Sequence, residues 1–319
     1  MNLNIAIIGT PSFAGEFGKK GTESDMTLYN YRNGDDTLTF LHPTRYPERL
    51  SSLLFILDQC DLAIIEISEI NSTLGEVIVS LDAAGISRGY IYLRNYLQQD
   101  QITPLITGMS METFVFTETL PMELKEEIIR SEPPPPSDGP TIVPIDHHFN
   151  VKGIGPVILG IVREGTVLRH QKLILHPTGK TITVRSIQTH DKDVNEAGIG
   201  ERVGLALKGI ETDDIDRGMV LADTASPLTF SETLILSLSP NRFWKTPIVD
   251  EMVLHVTTLM QMRPGRISNV TNGSISENQQ TTMTITFDKP ITYQPDTPVF
   301  VSYLEGGSLR VIGRALIRT

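Results

Sequence analysis

Glu132-Pro133-Pro134-Pro135-Pro136-Ser137-Asp138-Gly139-Pro140 cuts the chain into two unlike parts. Proline locks φ and carries no backbone donor, so neither a helix nor a central strand passes through this run; a stiff polyproline spacer and a domain boundary are expected over 132–140. Downstream, short Val/Ile/Thr-rich runs recur at a spacing of roughly 8 to 12 residues between Gly, Asn, Asp and Pro, which is the texture of two all-β barrels or sandwiches. A second break near Asp223 to Pro227 divides this part into 141–225 and 226–319, each long enough for one small barrel. Upstream, over 1–131, the pattern is α/β. Leu3-Asn4-Ile5-Ala6-Ile7-Ile8, Leu62-Ala63-Ile64-Ile65-Glu66-Ile67 and Gly89-Tyr90-Ile91-Tyr92-Leu93 read as strands of a parallel sheet buried on both faces. Between the last two, Leu74, Val77, Ile78 and Leu81 recur at helical spacing, and Gly85 fits a helix stop, which completes a βαβ unit. Met26 to Tyr31 and Thr37 to Leu41 alternate in polarity around Asn33-Gly34, a hairpin signal.

Composition limits the function classes. The 319 residues carry 27 Lys+Arg against 38 Asp+Glu, a net charge of −11, which excludes a general nucleic-acid coat or a binder of anionic membranes. The charge is unevenly placed: residues 1 to 138 hold 9 basic and 20 acidic side chains, and the remaining 181 residues hold 18 of each. The second part is therefore free to present basic patches. One cysteine, Cys60, excludes a disulfide framework and a thiolate-cluster metal site. With no signal peptide and no apolar run near the roughly 18 residues of a membrane span, a cytosolic soluble protein is expected. No internal repeat is evident.

The segment Val143-Pro144-Ile145-Asp146-His147-His148-Phe149-Asn150-Val151-Lys152-Gly153-Ile154-Gly155-Pro156-Val157-Ile158-Leu159-Gly160 resembles the first strands of barrel two in the translational GTPases of the elongation factor Tu, selenocysteine-specific factor (SelB) and initiation factor 2 gamma class. The likeness continues in order through Val162-Arg163-Glu164-Gly165, Val184-Arg185-Ser186-Ile187, Ala197-Gly198-Ile199-Gly200-Glu201-Arg202-Val203-Gly204, Lys208-Gly209-Ile210 and Asp216-Arg217-Gly218-Met219-Val220-Leu221. It is closest to the selenocysteine factor, which also has Asp-His where elongation factor Tu has Glu-Asp. Residues 228–319 resemble barrel three more loosely, through Pro290-Ile291, Glu305-Gly306-Gly307 and Ile312-Gly313-Arg314-Ala315. The resemblance implies a P-loop GTPase-like parallel-sheet domain followed by two β-barrels, in a protein that binds the acceptor end of aminoacyl-tRNA.

A folded RNA is gripped by shape through phosphate and 2′-hydroxyl contacts, while its aminoacylated end needs a shaped pocket. By the resemblance, Asp146, His147 and Phe149 line that pocket, with Phe149 stacking on the terminal adenine. Arg217, joined by Arg310, is expected to meet acceptor-end phosphates. Each also has an ordinary alternative: a turn aspartate, solvated histidines, a core phenylalanine and surface ion pairs. The Asp146-His147 pair further suggests a cysteine- or selenocysteine-like cargo, because a histidine tuned near neutrality partners a thiolate or selenolate.

The GTPase chemistry is eroded. Where the P-loop reads GxxxxGK then Ser or Thr, this chain has Gly9-Thr10-Pro11-Ser12-Phe13-Ala14-Gly15-Glu16, so the lysine and the magnesium hydroxyl are gone. Lys19 and Lys20 either reach back to a phosphate or are solvated helix lysines. Aligning Pro43 on the DxPGH segment puts Leu41 at the magnesium aspartate, Thr44 at the glycine and Arg45 at the histidine that orients water. Switch I is deleted, since only about a dozen residues, Gly18 to Thr27, follow the first helix. The base-reading NKxD motif is replaced by Asn95-Tyr96-Leu97-Gln98, where Tyr96 offers a stacking face, Gln98 one neutral acceptor, and Asn95 either a base contact or a helix cap. What remains for a nucleotide is Gly9, Thr10, Ser12, Ala14, Gly15 and Glu16 as an amide nest, with Asn95, Tyr96 and Gln98 at the base. GTP or GDP bound weakly, little need for Mg²⁺, no metal ligands and hydrolysis near background are expected.

The expected function is a monomeric carrier of aminoacyl-tRNA, of the kind that eroded paralogues in methanogenic archaea resemble, with the ribosome as a further partner and no DNA or membrane. A scaffold that docks its barrels on a translation or ribosome-associated protein is the alternative, and a GTPase with unconventional motifs a third.

Overall fold

The N-terminal run forms β1 (Asn2–Ile8), with Leu3 to Ile8 buried, and the chain then makes one short helical turn, α1 (Pro11–Gly15). Two edge strands follow, β2 (Lys19–Glu23) and β3 (Thr27–Asn33), and the Asn33-Gly34 turn returns the chain as β4 (Asp36–His42). Then come α2 (Leu50–Leu57), β5 (Leu62–Ile67), α3 (Ser72–Ala84), β6 (Gly89–Leu93), α4 (Gln99–Ile106), β7 (Val115–Phe116) and α5 (Pro121–Arg130). Asn71 caps α3 by accepting from the Leu74 amide, and Gly85 ends it at φ 71, a left-handed conformation that glycine adopts without the steric cost of a Cβ. The sheet order is β2-β3-β4-β1-β5-β6-β7, parallel from β4 through β7, with β2 and β3 as an antiparallel margin. Helices α1 and α5 pack on one face through Phe13, Leu124 and Ile128, and α2, α3 and α4 cover the other.

This computed structural model describes residues 1–131, 139–271 and 280–318, so most of the proline run lies outside the described residues. From there the chain is β. Strands β8 (Ile142–Val151), β9 (Gly155–Ile161), β10 (Val167–Leu168), β11 (Lys172–His176), β12 (Lys180–Thr189), β13 (Lys192–Val194), β14 (Glu196–Ala197), β15 (Arg202–Lys208) and β16 (Val220–Ala222) build the first barrel. Its ring runs β11-β16-β8-β9-β15-β12 and closes through β11–β12, with β13 as a flap on β12 and β10–β14 as a small separate ribbon. Strands β17 (Thr229–Pro240), β18 (Val253–Thr258), β19 (Gln261–Ser268), β20 (Thr281–Tyr293), β21 (Val299–Ser302) and β22 (Val311–Arg318) close a second barrel in the order β17-β20-β19-β18-β21-β22. Closure removes the free sheet edges that invite aggregation. Of barrels and sandwiches, both left open by the strand texture, the chain uses barrels twice.

The three units are fastened together. One apolar cluster runs from α2 and α3 into both barrels through Ile161, Met260, Phe300 and Val311. Arg310 of the second barrel forks onto Glu76 of α3, Nη2 to Oε2 at 2.6 Å, and also donates to the Pro47 carbonyl at 2.9 Å. Arg217 of the first barrel donates to Asp25 at 2.7 Å and lies 4.4 Å from the Phe55 ring centre. Asp58 accepts from the Met260 amide at 3.2 Å through its side chain and from Arg163 through its carbonyl. Asn4 donates to the Gly200 carbonyl at 3.2 Å.

Five histidines, at 42, 147, 176, 190 and 255, have their pKa lowered chiefly by burial, because desolvation disfavours the imidazolium. Below an ordinary histidine value of about 6.5 the unfolded chain then binds more protons than the folded one, so stability is full above that pH and falls as pH drops through it. Unfolding followed by circular dichroism should show a lower midpoint at about pH 5.5 than at about pH 7.5. Equal midpoints would mean that these imidazoles titrate alike in both states.

Candidate functional site

Two places in the fold offer ligand chemistry. The first is the rim of the parallel sheet at the carboxyl ends of its strands, where open α/β sheets usually bind ligands. The loop Gly9-Thr10-Pro11 leaves β1 here, and β5 delivers Glu66 beneath it. The Glu66 carboxylate accepts from the Thr10 amide at 3.0 Å and from the Thr10 hydroxyl at 2.8 Å, and its other oxygen accepts from Arg94 Nε at 3.1 Å. Arg94, which ends β6, lies 5.5 Å from the Phe13 ring centre and 5.4 Å from that of Tyr92. Gly9 is needed for this approach, since a Cβ there would stand 2.7 Å from Glu66 Cβ. Three further loop amides are spent locally: Phe13 donates to Thr10 Oγ1 at 3.3 Å, Ala14 to the Thr10 carbonyl at 3.0 Å and Glu16 to the Phe13 carbonyl at 3.1 Å.

Beside this clamp lies a cavity of about 580 Å³ lined by Arg94, Asn95, Tyr96, Gln98, Phe116 and Glu118. Asn95 and Tyr96 both have positive φ, 55 and 62, and Tyr96 is 98% exposed. Asn95 donates one amide hydrogen to the Ser68 carbonyl at 3.1 Å and does not cap a helix; Gln98 caps α4 instead, its backbone amide donating to Gln101 Oε1 at 2.8 Å.

The second place is a cleft of about 560 Å³ between the β2 margin and the outer face of the first barrel. Lys19, Lys20, Thr22 and Asn30 form one wall, and Leu159, Gln188, His190, Arg202 and Gly204 the other. His147, Leu159, Gly204 and Gln188 are register partners across β8, β9, β15 and β12, so they form one row on that face. Phe149 pairs with Val157 two positions along and is 43% exposed. Behind the row, Asp146 is wholly buried; it takes the Arg202 fork, with Nη2 to Oδ1 at 3.0 Å, and lies 2.7 Å from His147 Nδ1. A carboxylate only accepts, which assigns the proton to Nδ1 and leaves Nε2 of His147 as an acceptor. Burial and then the Arg217 guanidinium lower the His147 pKa, against Asp25.

Residues 155–222 match the family Elongation factor Tu domain 2. An uncharacterized protein of Methanocaldococcus jannaschii is 39% identical over 247 residues, 77% of this chain and 80% of that protein. The selenocysteine-specific elongation factor of the same organism is 31% identical over 125 residues, 39% of this chain and 27% of that protein. The chain belongs to the translational GTPase family. Its fold is that of SelB from Methanococcus maripaludis, whose crystal structure in complex with the GTP analogue GPPNHP superposes with a TM-score of 0.82 at 20% identity, covering 100% of this chain and 79% of that one. Against the selenocysteine factor of M. jannaschii the matched share is little more than a quarter of that protein's length.

Measured against this translational GTPase frame, several expected residues have other employment. Asp146 lines no pocket, because it is buried as the counter-ion of Arg202. Arg217 and Arg310 each join a barrel to the N-terminal domain; Arg310 is engaged by Glu76 and the Pro47 carbonyl, whereas Arg217 gives Nη1 to Asp25 and keeps Nε and Nη2 buried without a hydrogen-bond partner. Lys19 and Lys20 stand on an edge strand and not a helix, with Lys20 paired to Glu23 at 2.8 Å. Burial lowers the His147 pKa, which works against an imidazolium partner for a thiolate or selenolate. His147 and Phe149 remain where a ligand on the barrel face would meet them.

The loop fits a nucleotide phosphate poorly. Glu66 takes the Thr10 amide and hydroxyl, the amides of Phe13, Ala14 and Glu16 are bonded within the turn, the Ser12 hydroxyl faces Thr10 Oγ1 at 3.1 Å and Gly15 belongs to α1, so most of the amide nest expected for GTP or GDP phosphates is already engaged. Leu41 is buried in β4, and Thr44 is bound to Thr27 at 2.6 Å, so neither stands ready for magnesium. Glu66, Arg94, Asp25, Glu76 and Arg202 carry the chemistry of these sites and were not singled out by sequence. One signal was visible: a carboxylate inside the apolar run Leu62 to Ile67 needs a partner when the strand is buried.

Proposed function

We propose that the protein is an elongation factor-like carrier that holds the acceptor end of an aminoacyl-tRNA in the cleft between β2 and the first barrel, without GTP hydrolysis. The observation that carries this is the cleft itself: about 560 Å³, walled by Lys19 and Lys20 on one side and by Leu159, Gln188, His190, Asp191 and Arg202 of the barrel on the other. Lys19 makes no ion pair among the described residues and is free for a phosphate. Phe149 presents an exposed ring on the same outer face, suited to stacking on an unpaired base. The Arg202–Asp146 pair beneath contributes stiffness and no net charge.

Filter binding of the full chain to charged and uncharged tRNA across a salt series tests this. Affinity for aminoacyl-tRNA should fall steeply with salt, and Lys19→Ala should reduce the slope of log K against log salt by about 0.9, the loss of one phosphate contact. Binding that ignores salt, or an unchanged slope in the variant, would refute the cleft as the RNA site. A scaffold docking on a protein partner would give no tRNA retention at all.

A further inference from the structure

We propose that the Glu66 carboxylate is a built-in substitute for a nucleotide phosphate, so that the N-terminal domain keeps its closed arrangement on the two barrels with no nucleotide present. In the loop after β1, the Thr10 amide and hydroxyl point at one place and Arg94 points at it from the other side, an arrangement suited to a tetrahedral anion. The protein fills that place with its own anion, carried on β5, the middle of the five parallel strands. The Glu66 side chain is only 10% exposed, and its charge is balanced by Arg94, whose guanidinium rests against Phe13 and Tyr92. Gly9 leaves the room for it.

A ligand stabilises one arrangement of domains only by its differential affinity for it. Here the domains are already joined by Asp25–Arg217, Glu76–Arg310, the Asp58 contacts and a shared apolar cluster, all made by side chains of the chain itself. A fixed carboxylate cannot be hydrolysed or exchanged, so the loop has no second state to switch to. This proposal stands apart from the tRNA reading: its test uses no RNA.

Thermal unfolding of the full chain should be unmoved by GDP or GTP with Mg²⁺, and by inorganic phosphate compared with chloride at equal ionic strength. Glu66→Ala empties the anion place but leaves Thr10 and Arg94, so its midpoint should be lower and should rise by about 2 °C in about 50 mM phosphate over the chloride control. Adding Arg94→Met to Glu66→Ala should abolish that rise. Glu66→Gln, which keeps the shape and the Thr10 contacts, serves if the alanine variant does not fold; it should show the lower midpoint without rescue. Stabilisation of the wild type by GDP or GTP would overturn the proposal, as would a Glu66→Ala protein that gains nothing from phosphate.

Discussion

Glu76→Ala should cost about 3 to 5 kcal/mol, the range found when one partner of a buried ion pair is removed. The Glu76 side chain is 3% exposed and accepts from Arg310 three times, from its amide at 2.8 Å, from Nε at 3.0 Å and from Nη2 at 2.6 Å. The alanine variant would leave a guanidinium between α3 and the second barrel with only the Pro47 carbonyl for company. The cost belongs to the orphaned charge more than to the lost attraction, and this makes the claim separable. Glu76→Leu combined with Arg310→Met removes both charges and should recover most of the loss, since apolar replacement of a buried pair is often neutral or better. Urea unfolding of Glu76→Leu, Arg310→Met and the pair supplies the cycle, with Glu76→Ala measured beside them. Single costs below about 1 kcal/mol would put the contact in the class of surface pairs and leave the domains held by the apolar cluster alone.

The order of units was legible because it rests on periodicity: the apolar runs that became β1, β5 and β6, the helix ending at Gly85, and the turn at Asn33-Gly34 are all local signals. The first barrel's strands were legible through ordered similarity, and Elongation factor Tu domain 2 matches residues 155–222 of it. Arginine roles were not legible. Arg217 sits in a matched block, yet what it touches is Asp25, 192 residues away, and nothing in either local sequence announces that pair. Arg310 and Glu76 are separated by 234 residues, and Glu76 lies off the apolar stripe that defines the helix, so patterning assigns it to solvent. A stripe identifies the face toward the sheet but not a second face buried by another domain. Glu66 could have been suspected, because it interrupts an apolar strand, but its partners come from two other strands' ends and only the assembled rim brings them together.

Asp146→Ala should be as damaging as the loss of Glu76, about 3 to 5 kcal/mol, because it strands a guanidinium that is 11% exposed. Burial and the nearby Arg217 already lower the Arg202 pKa to about 9, so the group is charged at neutral pH and has no second carboxylate among its described ion pairs. His147 would also lose the acceptor that fixes its ring. Asp146→Asn retains an acceptor and should cost less. The decisive variant is Asp146→Ala with Arg202→Met, which removes a neutral pair: stability should largely return, and the salt dependence of tRNA binding should match the wild type, because no net charge has left the cleft. Denaturant unfolding and salt-series filter binding on the same preparations check both halves. A slope lowered by about 0.9 in the double variant would show that Arg202 itself meets a phosphate and that Asp146 serves the ligand. An unchanged slope beside the reduced slope of Lys19→Ala would separate the residue that stiffens the barrel face from the residue that grips the RNA.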